Sequence, residues 1–204
     1  MSMDISSEET HPQHVGRPEH AGHPDPAGRR DPAGHPEPAG TRSRTHTWGA
    51  PVRATADVPG MTGREILRAA IDGRFPAAPI MSTLGFRFVE VGDGLAVFET
   101  EHGEHLYNPM GSVHGGYLAA VMDAALGSAV MSRLPAGSTY TTTQLNLHLV
   151  RPVFADTAPL RVTGTALHVG RTTATAEARV VGIEDGKLYA HGTTTCAVFS
   201  FPAG

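Results

Sequence analysis

The sequence predicts an α+β domain in which a mostly antiparallel sheet wraps around one long helix, and three observations carry that expectation. Tyr117 to Met131 is an almost unbroken run of Leu, Ala, Val, Met and small residues, and a helix that is apolar on every side must be covered on most of them. Around it lie stretches that alternate apolar and polar residues with a period of two, the mark of strands with one buried face. Glycine-containing turns such as Gly92-Asp93-Gly94 and Asp185-Gly186 separate several of them, as hairpins require.

The elements follow in order from a leader of different composition. HPDPAG, RRDPAG and HPEPAG run consecutively from His23 to Gly40, and half of the 12 histidines precede Trp48. Such a stretch has too few large apolar residues to offset the entropy of ordering it, so residues 1–57 are expected to be a disordered Pro/Gly/His-rich tail and residues 58–204 the folded domain. The histidines there follow the repeat and not a ligand spacing, which argues against a metal site. Thr62 with Glu65 is a capping-box pair ahead of Ile66, Leu67, Ala70 and Ile71, a short amphipathic helix that Pro76 and Pro79 are expected to end. FRFVEV and LAVFETE then form a hairpin, followed by the apolar helix. After Pro135 come TYTTTQLNLHLVRP, LRVTGTALHV, TTATAEARVVGI and KLYAHGTTTCAVFSF. In the first of these Leu145, Leu147 and Leu149 alternate with Gln144, Asn146 and His148, which predicts a buried leucine face.

Composition narrows the function. A net charge of −4 gives no electrostatic basis for nucleic acid or an anionic membrane. The acidic, polar N-terminus is expected to be neither a signal nor a transit peptide. The single cysteine, Cys196, lies in an alternating stretch and is expected to be a buried core thiol. A carboxylate at the centre of the apolar run argues against a membrane span. A reducing, cytoplasmic setting follows as the expectation.

That carboxylate, Asp123, is the one ionisable side chain between Tyr117 and Met131, and an isolated buried charge is normally paired, neutralised or functional. Asn108-Pro109-Met110-Gly111 and Ser112-Val113-His114-Gly115-Gly116 precede the helix as a turn. A helix start offers free N–H groups and a partial positive charge to an oxyanion, and glycines there either admit a ligand or simply permit close packing. Asp123 lies eight residues past Gly115, about 12 Å along the helix axis. The two meet at one small reacting group only if a second helix packs antiparallel alongside, which suggests a dimer with composite sites. The alternative is an Asp123 that bonds a neighbouring Thr or backbone N–H within a core. His102 and His105 have no third metal ligand at a suitable spacing and read as residues of a pocket rim.

Asn108-x5-His114-Gly115-Gly116-x6-Asp123, followed by a Thr-rich strand ending at Arg151-Pro152, resembles the hotdog-fold acyl-CoA thioesterases, specifically the PaaI-type branch of the 4-hydroxybenzoyl-CoA thioesterase superfamily. The resemblance covers about residues 78–201. It implies the hotdog fold, a homodimer or homotetramer, an acyl-CoA substrate, and no metal or other cofactor. It implies that the Gly115 N–H and the Asn108 side chain polarise the thioester carbonyl, and that Asp123 of a second subunit is general base or nucleophile. It further implies that a strand threonine (Thr142, with Thr141 and Thr143 as alternatives) holds the carboxylate or the water. His114 and Gly116 would shape the substrate turn, His114 as a turn-fixing side chain more than a proton shuttle. Gly170 and Arg171 would lie near the pantetheine and nucleotide of CoA, with Arg151 and Arg133 as weaker contacts. Pro79, Ile80, Met81, Leu84, Tyr117 and Met122 would wall the acyl pocket. A hotdog hydratase or dehydratase and a non-catalytic acyl-CoA-binding domain are the rival readings. The first lacks its catalytic His motif here, and the second has no use for both Asn108 and Asp123.

Overall fold

The computed structural model describes residues 40–51, 58 and 60–200. The chain divides into a unit Met1–Thr45 and a unit His46–Gly204, and among the described residues the helices and strands lie in the second. The expected tail falls largely outside the described residues.

Helix α1 (Gly63–Ile71) begins at the expected capping box: the Thr62 side chain accepts from the Glu65 N–H while the Glu65 carboxylate accepts from Thr62 N. It ends earlier than the prolines suggest. Asp72 caps it, and Gly73 turns the chain out at φ 73° while its N–H bonds the Ala70 carbonyl. Pro79 does not terminate a helix; it opens one, α2 (Pro79–Leu84), at a first-turn position where its missing N–H costs nothing. The hairpin is β1 (Phe86–Gly92) and β2 (Leu95–Thr100), antiparallel as predicted.

Helix α3 (Gly115–Met131) is the long apolar helix. The remaining strands are β3 (Ser138–Leu149), β4 (Leu160–Val169), β5 (Thr173–Gly182) and β6 (Leu188–Ser200). All six strands form one antiparallel sheet in the order β1-β2-β4-β5-β6-β3, and α3 packs against β2, β3, β4, β5 and β6. This is an α+β hotdog: a sheet curled around a single helix.

Small residues make the wrap possible. The inner face of β5 carries Ala174, Ala176 and Ala178, and β6 adds Ala190, Gly192 and Cys196, all buried. They leave room for Leu118, Val121, Met122, Leu126 and Val130 of the helix. At Gly164 of β4 the sheet comes against the helix backbone itself, because a Cβ there would stand 2.3 Å from the Ala125 carbonyl oxygen. Cys196 is fully buried, and burial pushes its thiol up in pKa.

One prediction holds only in part. The leucine alternation of β3 does mark its inner face, where Leu145 and Leu147 pack against the core, but both are only half-buried, and Leu149 is 52% exposed. β3 is one edge of the sheet, and β1 is the other. β3 leaves α3 to cross the sheet and pairs with β6, the last strand in the sequence, so only one of its sides has a partner among the described residues.

Candidate functional site

The turn before α3 is built by Asn108. Its side-chain oxygen accepts from Met110 N at 2.9 Å and Ser112 N at 3.3 Å, while its amide nitrogen donates to Ser112 Oγ at 3.1 Å. With the oxygen committed inward, the amide keeps one further N–H. At the helix start His114 is the N-cap: its Nδ1 accepts from Gly116 N at 2.9 Å. His114 therefore holds the turn, and in doing so it occupies the Gly116 N–H. Tyr117 N donates to the His114 carbonyl, whereas the Gly115 N–H has no acceptor among the described residues. Asn108, Ser112, Gly115, Leu149 and Arg151 line one cleft of about 220 Å³. The structure thus brings Asn108, Gly115 and Arg151 together.

Asp123 is elsewhere, two turns along α3. The half-exposed residues Ala119, Ala120, Asp123, Ala124 and Ser128 form one stripe on a helix that is otherwise buried from Tyr117 onward, and Asp123 is its charge. Thr142 Oγ1 donates to Asp123 Oδ1 at 2.9 Å. The aim of Thr142 depends on a β-bulge. Thr142 pairs with Cys196 and Gln144 with Thr195, so Thr143 is the extra residue and its hydroxyl donates to the Thr195 carbonyl instead. Thr141 is exposed. Among the three threonines, Thr142 is the one that bonds the carboxylate.

Tyr140, two residues before Thr142 and on the same side of the strand, was missed by sequence reasoning. It lies over the helix at Gly127, where a Cβ would stand 2.2 Å from its hydroxyl. Burial, then the charges of Asp123 and Cys196, push its phenol above the usual tyrosine range. A neutral phenol therefore floors the helix one turn beyond the carboxylate. The period-two spacing from Thr142 was the available signal; the glycine that receives the ring lies thirteen residues away in sequence.

Other expected residues divide. Tyr117 and Met122 belong to the core and not to an acyl pocket: Tyr117 is 3% exposed and donates to the Gly85 carbonyl at 2.9 Å, and Met122 is completely buried. Pro79, Met81 and Leu84 are half-buried and Ile80 exposed on α2. Gly170 and Arg171 form the β4–β5 turn, with Gly170 N donating to Thr173 O, and that turn follows Val169, which lines a cleft at the far end of α3 from Gly115. His102, half-buried, is a pin between two segments. One ring nitrogen pairs with Thr100 Oγ1 at 2.9 Å and the other with the Thr157 carbonyl at 3.0 Å, and burial lowers its pKa. No group of three metal-ligating side chains occurs among the described residues. None of their helices is long and apolar enough to cross a membrane.

Comparisons agree with this architecture. Residues 110–189 match the family model of the thioesterase superfamily. A Halobacterium salinarum protein described as a candidate esterase is 34% identical over 107 residues, covering 50% of this chain and 69% of that one. Among solved structures, the PaaI protein of the Escherichia coli phenylacetic acid degradation operon aligns over 68% of this chain and 94% of its own, with a TM-score of 0.59 at 21% identity. At that identity the likeness speaks for the fold alone. A Ralstonia eutropha protein described as a candidate thioesterase related to phenylacetic acid degradation gives 0.58 at 28% identity, over 64% of this chain and 98% of its own. A variant of the PaaI protein of Thermus thermophilus gives 0.53 at 29%, over 59% and 98%. With the Asn108 turn, the Gly115 helix start and Asp123 carried on one six-stranded wrap, the chain belongs to the hotdog-fold thioesterase superfamily and falls with its PaaI-type branch.

Proposed function

We propose that the protein is an acyl-CoA thioesterase that works as a homodimer, or as a homotetramer built from two such dimers, with each site assembled from two chains. The observation that carries the proposal is the separation of two half-sites on one helix. Asn108 and the unpaired Gly115 N–H share a cleft at its start. The Thr142-bound carboxylate of Asp123 lies eight residues on, about 12 Å away. A second α3 running antiparallel against the half-exposed stripe Ala119, Ala120, Asp123 and Ala124 would bring its Gly115 to this Asp123. The small side chains of the stripe permit close contact, and the outer edge of β3 offers a second copy a strand to pair with.

In that site the Gly115 N–H and the remaining Asn108 amide N–H donate to the thioester oxygen as it gains charge. Asp123 of the other chain removes a proton from water, the water oxygen bonds the acyl carbon, the C–S bond breaks, and the proton passes to the departing thiolate. Attack by the carboxylate itself, through a mixed anhydride that water then opens, uses the same residues. Thr142 keeps one carboxylate oxygen occupied, which leaves the other for the reaction.

The test is release of free CoA thiol from a panel of aryl-, short-, medium- and long-chain acyl-CoA thioesters. Turnover of at least one class that vanishes in Asp123→Asn supports the reading. Tight binding of acyl-CoA with no turnover of any would favour a binding domain instead.

A further inference from the structure

A second cleft, of about 430 Å³, lies at the C-terminal end of α3 between α1, the β1–β2 turn and the start of the β4–β5 turn. Arg64 of α1 and Arg133, just past α3, both line it and both face Asp93 of the β1–β2 turn. Their contacts with that carboxylate are long, 3.9 Å from Arg64 Nη1 and 3.7 Å from Arg133 Nε, and Asp93 is 67% exposed. Two guanidiniums thus share one loosely held, solvated carboxylate. Glu65, the one acid on α1, lies close enough for its charge to act on Arg64, but its hydrogen bonds go to the capping box, where its carboxylate accepts from Thr62 N at 2.7 Å and Thr62 Oγ1 at 2.8 Å, and it does not line the cleft. The lining residues themselves carry two guanidiniums against one carboxylate, with planar N–H donors of the kind that receives a phosphate bidentately.

Its place on the fold indicates which phosphate. Val169 forms one wall, and the Gly170-Arg171 turn follows directly. Met131, the last residue of α3, is eight residues beyond Asp123, about 12 Å along the axis. The cleft is thus on the Asp123 side of the helix, away from the same chain's Gly115. A thioester held at Asp123 would reach it through an extended, flexible arm.

Resting on the thioesterase reading, we infer that Arg64 and Arg133 form the phosphate subsite for the nucleotide end of the thioester, and that Asp93 occupies this site until the phosphate displaces it. Arg64 and Asp93 precede residues 110–189, so two of the three charged residues of this subsite lie outside the region matched to the family, while Arg133 lies within it.

The competing carboxylate gives the test two opposite signs. Loss of one charge-assisted contact is worth about tenfold in affinity. Arg64→Ala and Arg133→Gln should each raise KM for an acyl-CoA about tenfold, with kcat and all parameters for the matching pantetheine thioester within about twofold of the parent. Asp93→Asn, which keeps a turn-compatible residue, should lower KM for the acyl-CoA severalfold and leave the pantetheine thioester unchanged. Repeating the series with the 3′-dephospho-CoA thioester assigns the phosphate: a lost Arg64 effect points to the 3′-phosphate, a retained one to the pyrophosphate. Equal losses on CoA and pantetheine thioesters, or an Asp93→Asn that weakens binding, overturns the subsite. Arg133 also donates to the Ala166 carbonyl at 3.4 Å, so if Arg133→Gln fails to fold, Arg64→Ala and Asp93→Asn decide alone. If the parent hydrolyses no thioester, the thioesterase reading fails separately and calorimetry with adenosine 3′,5′-bisphosphate judges the cleft. Binding weakened by Arg64→Ala and tightened by Asp93→Asn upholds it; no binding, or affinities that do not move, refutes it.

Discussion

Mixing two inactive variants tests whether a site is shared between chains, and the structure dictates which variants to mix. Asp123→Asn removes the base while keeping an oxygen for the Thr142 hydroxyl, so the 2.9 Å bond survives. On the other half-site, Asn108→Ala would dismantle the turn, because the Asn108 oxygen accepts from both Met110 N and Ser112 N. Asn108→Asp keeps that acceptor and removes only the amide donors, and Ser112 Oγ can reverse its role to donate. Loss of the base should cost about 10² to 10⁴ in kcat, and loss of one oxyanion donor about 10² to 10³, so each variant alone should be nearly silent. In an equimolar mixture allowed to exchange subunits, half of the dimers are mixed. Each mixed dimer holds one site with an intact Asp123 facing an intact Asn108, and one with both defects. Activity should therefore return to about a quarter of the parent's. The assay is thiol release after co-refolding, with gel filtration and circular dichroism on each variant, and with mass-tagged chains to verify exchange. If the variants fold and exchange yet activity stays at the level of the separate proteins, the 12 Å separation along α3 is not bridged by a second chain and the composite site is wrong.

Thr142→Val should lower kcat about tenfold to a hundredfold while moving KM little, since it removes one hydrogen bond to a charged group and preserves the side chain's shape; Thr143→Val, on the bulge and bonded away from Asp123, should be near neutral, and steady-state kinetics on both separates positioning from packing. Glu99, 8% exposed, is held below the usual carboxylate range first by the Arg161 hydrogen bond at 2.8 Å and further by Arg87. Its stabilisation is therefore complete above the carboxylate's unfolded pKa, about 4.3, and is lost as pH falls through the lower folded value. Glu99→Gln should cost about 1–2 kcal/mol at neutral pH, discounted for the solvent around the two guanidiniums. The difference from the parent should shrink as thermal melts are taken from pH 6 towards pH 3, and a constant difference would refute the linkage.

Local signals were legible wherever neighbours in sequence decide the structure. The Thr62/Glu65 capping box, the Gly92-Asp93-Gly94 hairpin and the period-two strands each involve residues a few positions apart, and each appears as the sequence implies. The apolar length of 117–131 implied a wrapped helix, because a helix without a polar face has no stable alternative in water. The candidate residues Asn108, Gly115 and Asp123 were legible as chemistry that an apolar helix would not otherwise carry. Pairings across the chain were not legible. The composition of β3 is that of any alternating strand, and only its union with β6 makes it an edge and leaves Leu149 exposed. Thr141, Thr142 and Thr143 are chemically identical, and a bulge set by the register against Cys196 and Thr195 aims the middle one at Asp123. Met122 and Tyr117 suit a pocket as well as a core until the Ala-rich faces of β5 and β6 close over the helix. Arg64, Asp93 and Arg133 span some seventy positions, and α1 brings them to one cleft by donating Gly63 N to the Leu134 carbonyl at 3.1 Å. Side-chain type and local spacing act over a few residues and can be read along the chain, whereas burial and aim depend on which distant backbone arrives alongside, and that is set only when the whole sheet closes on α3.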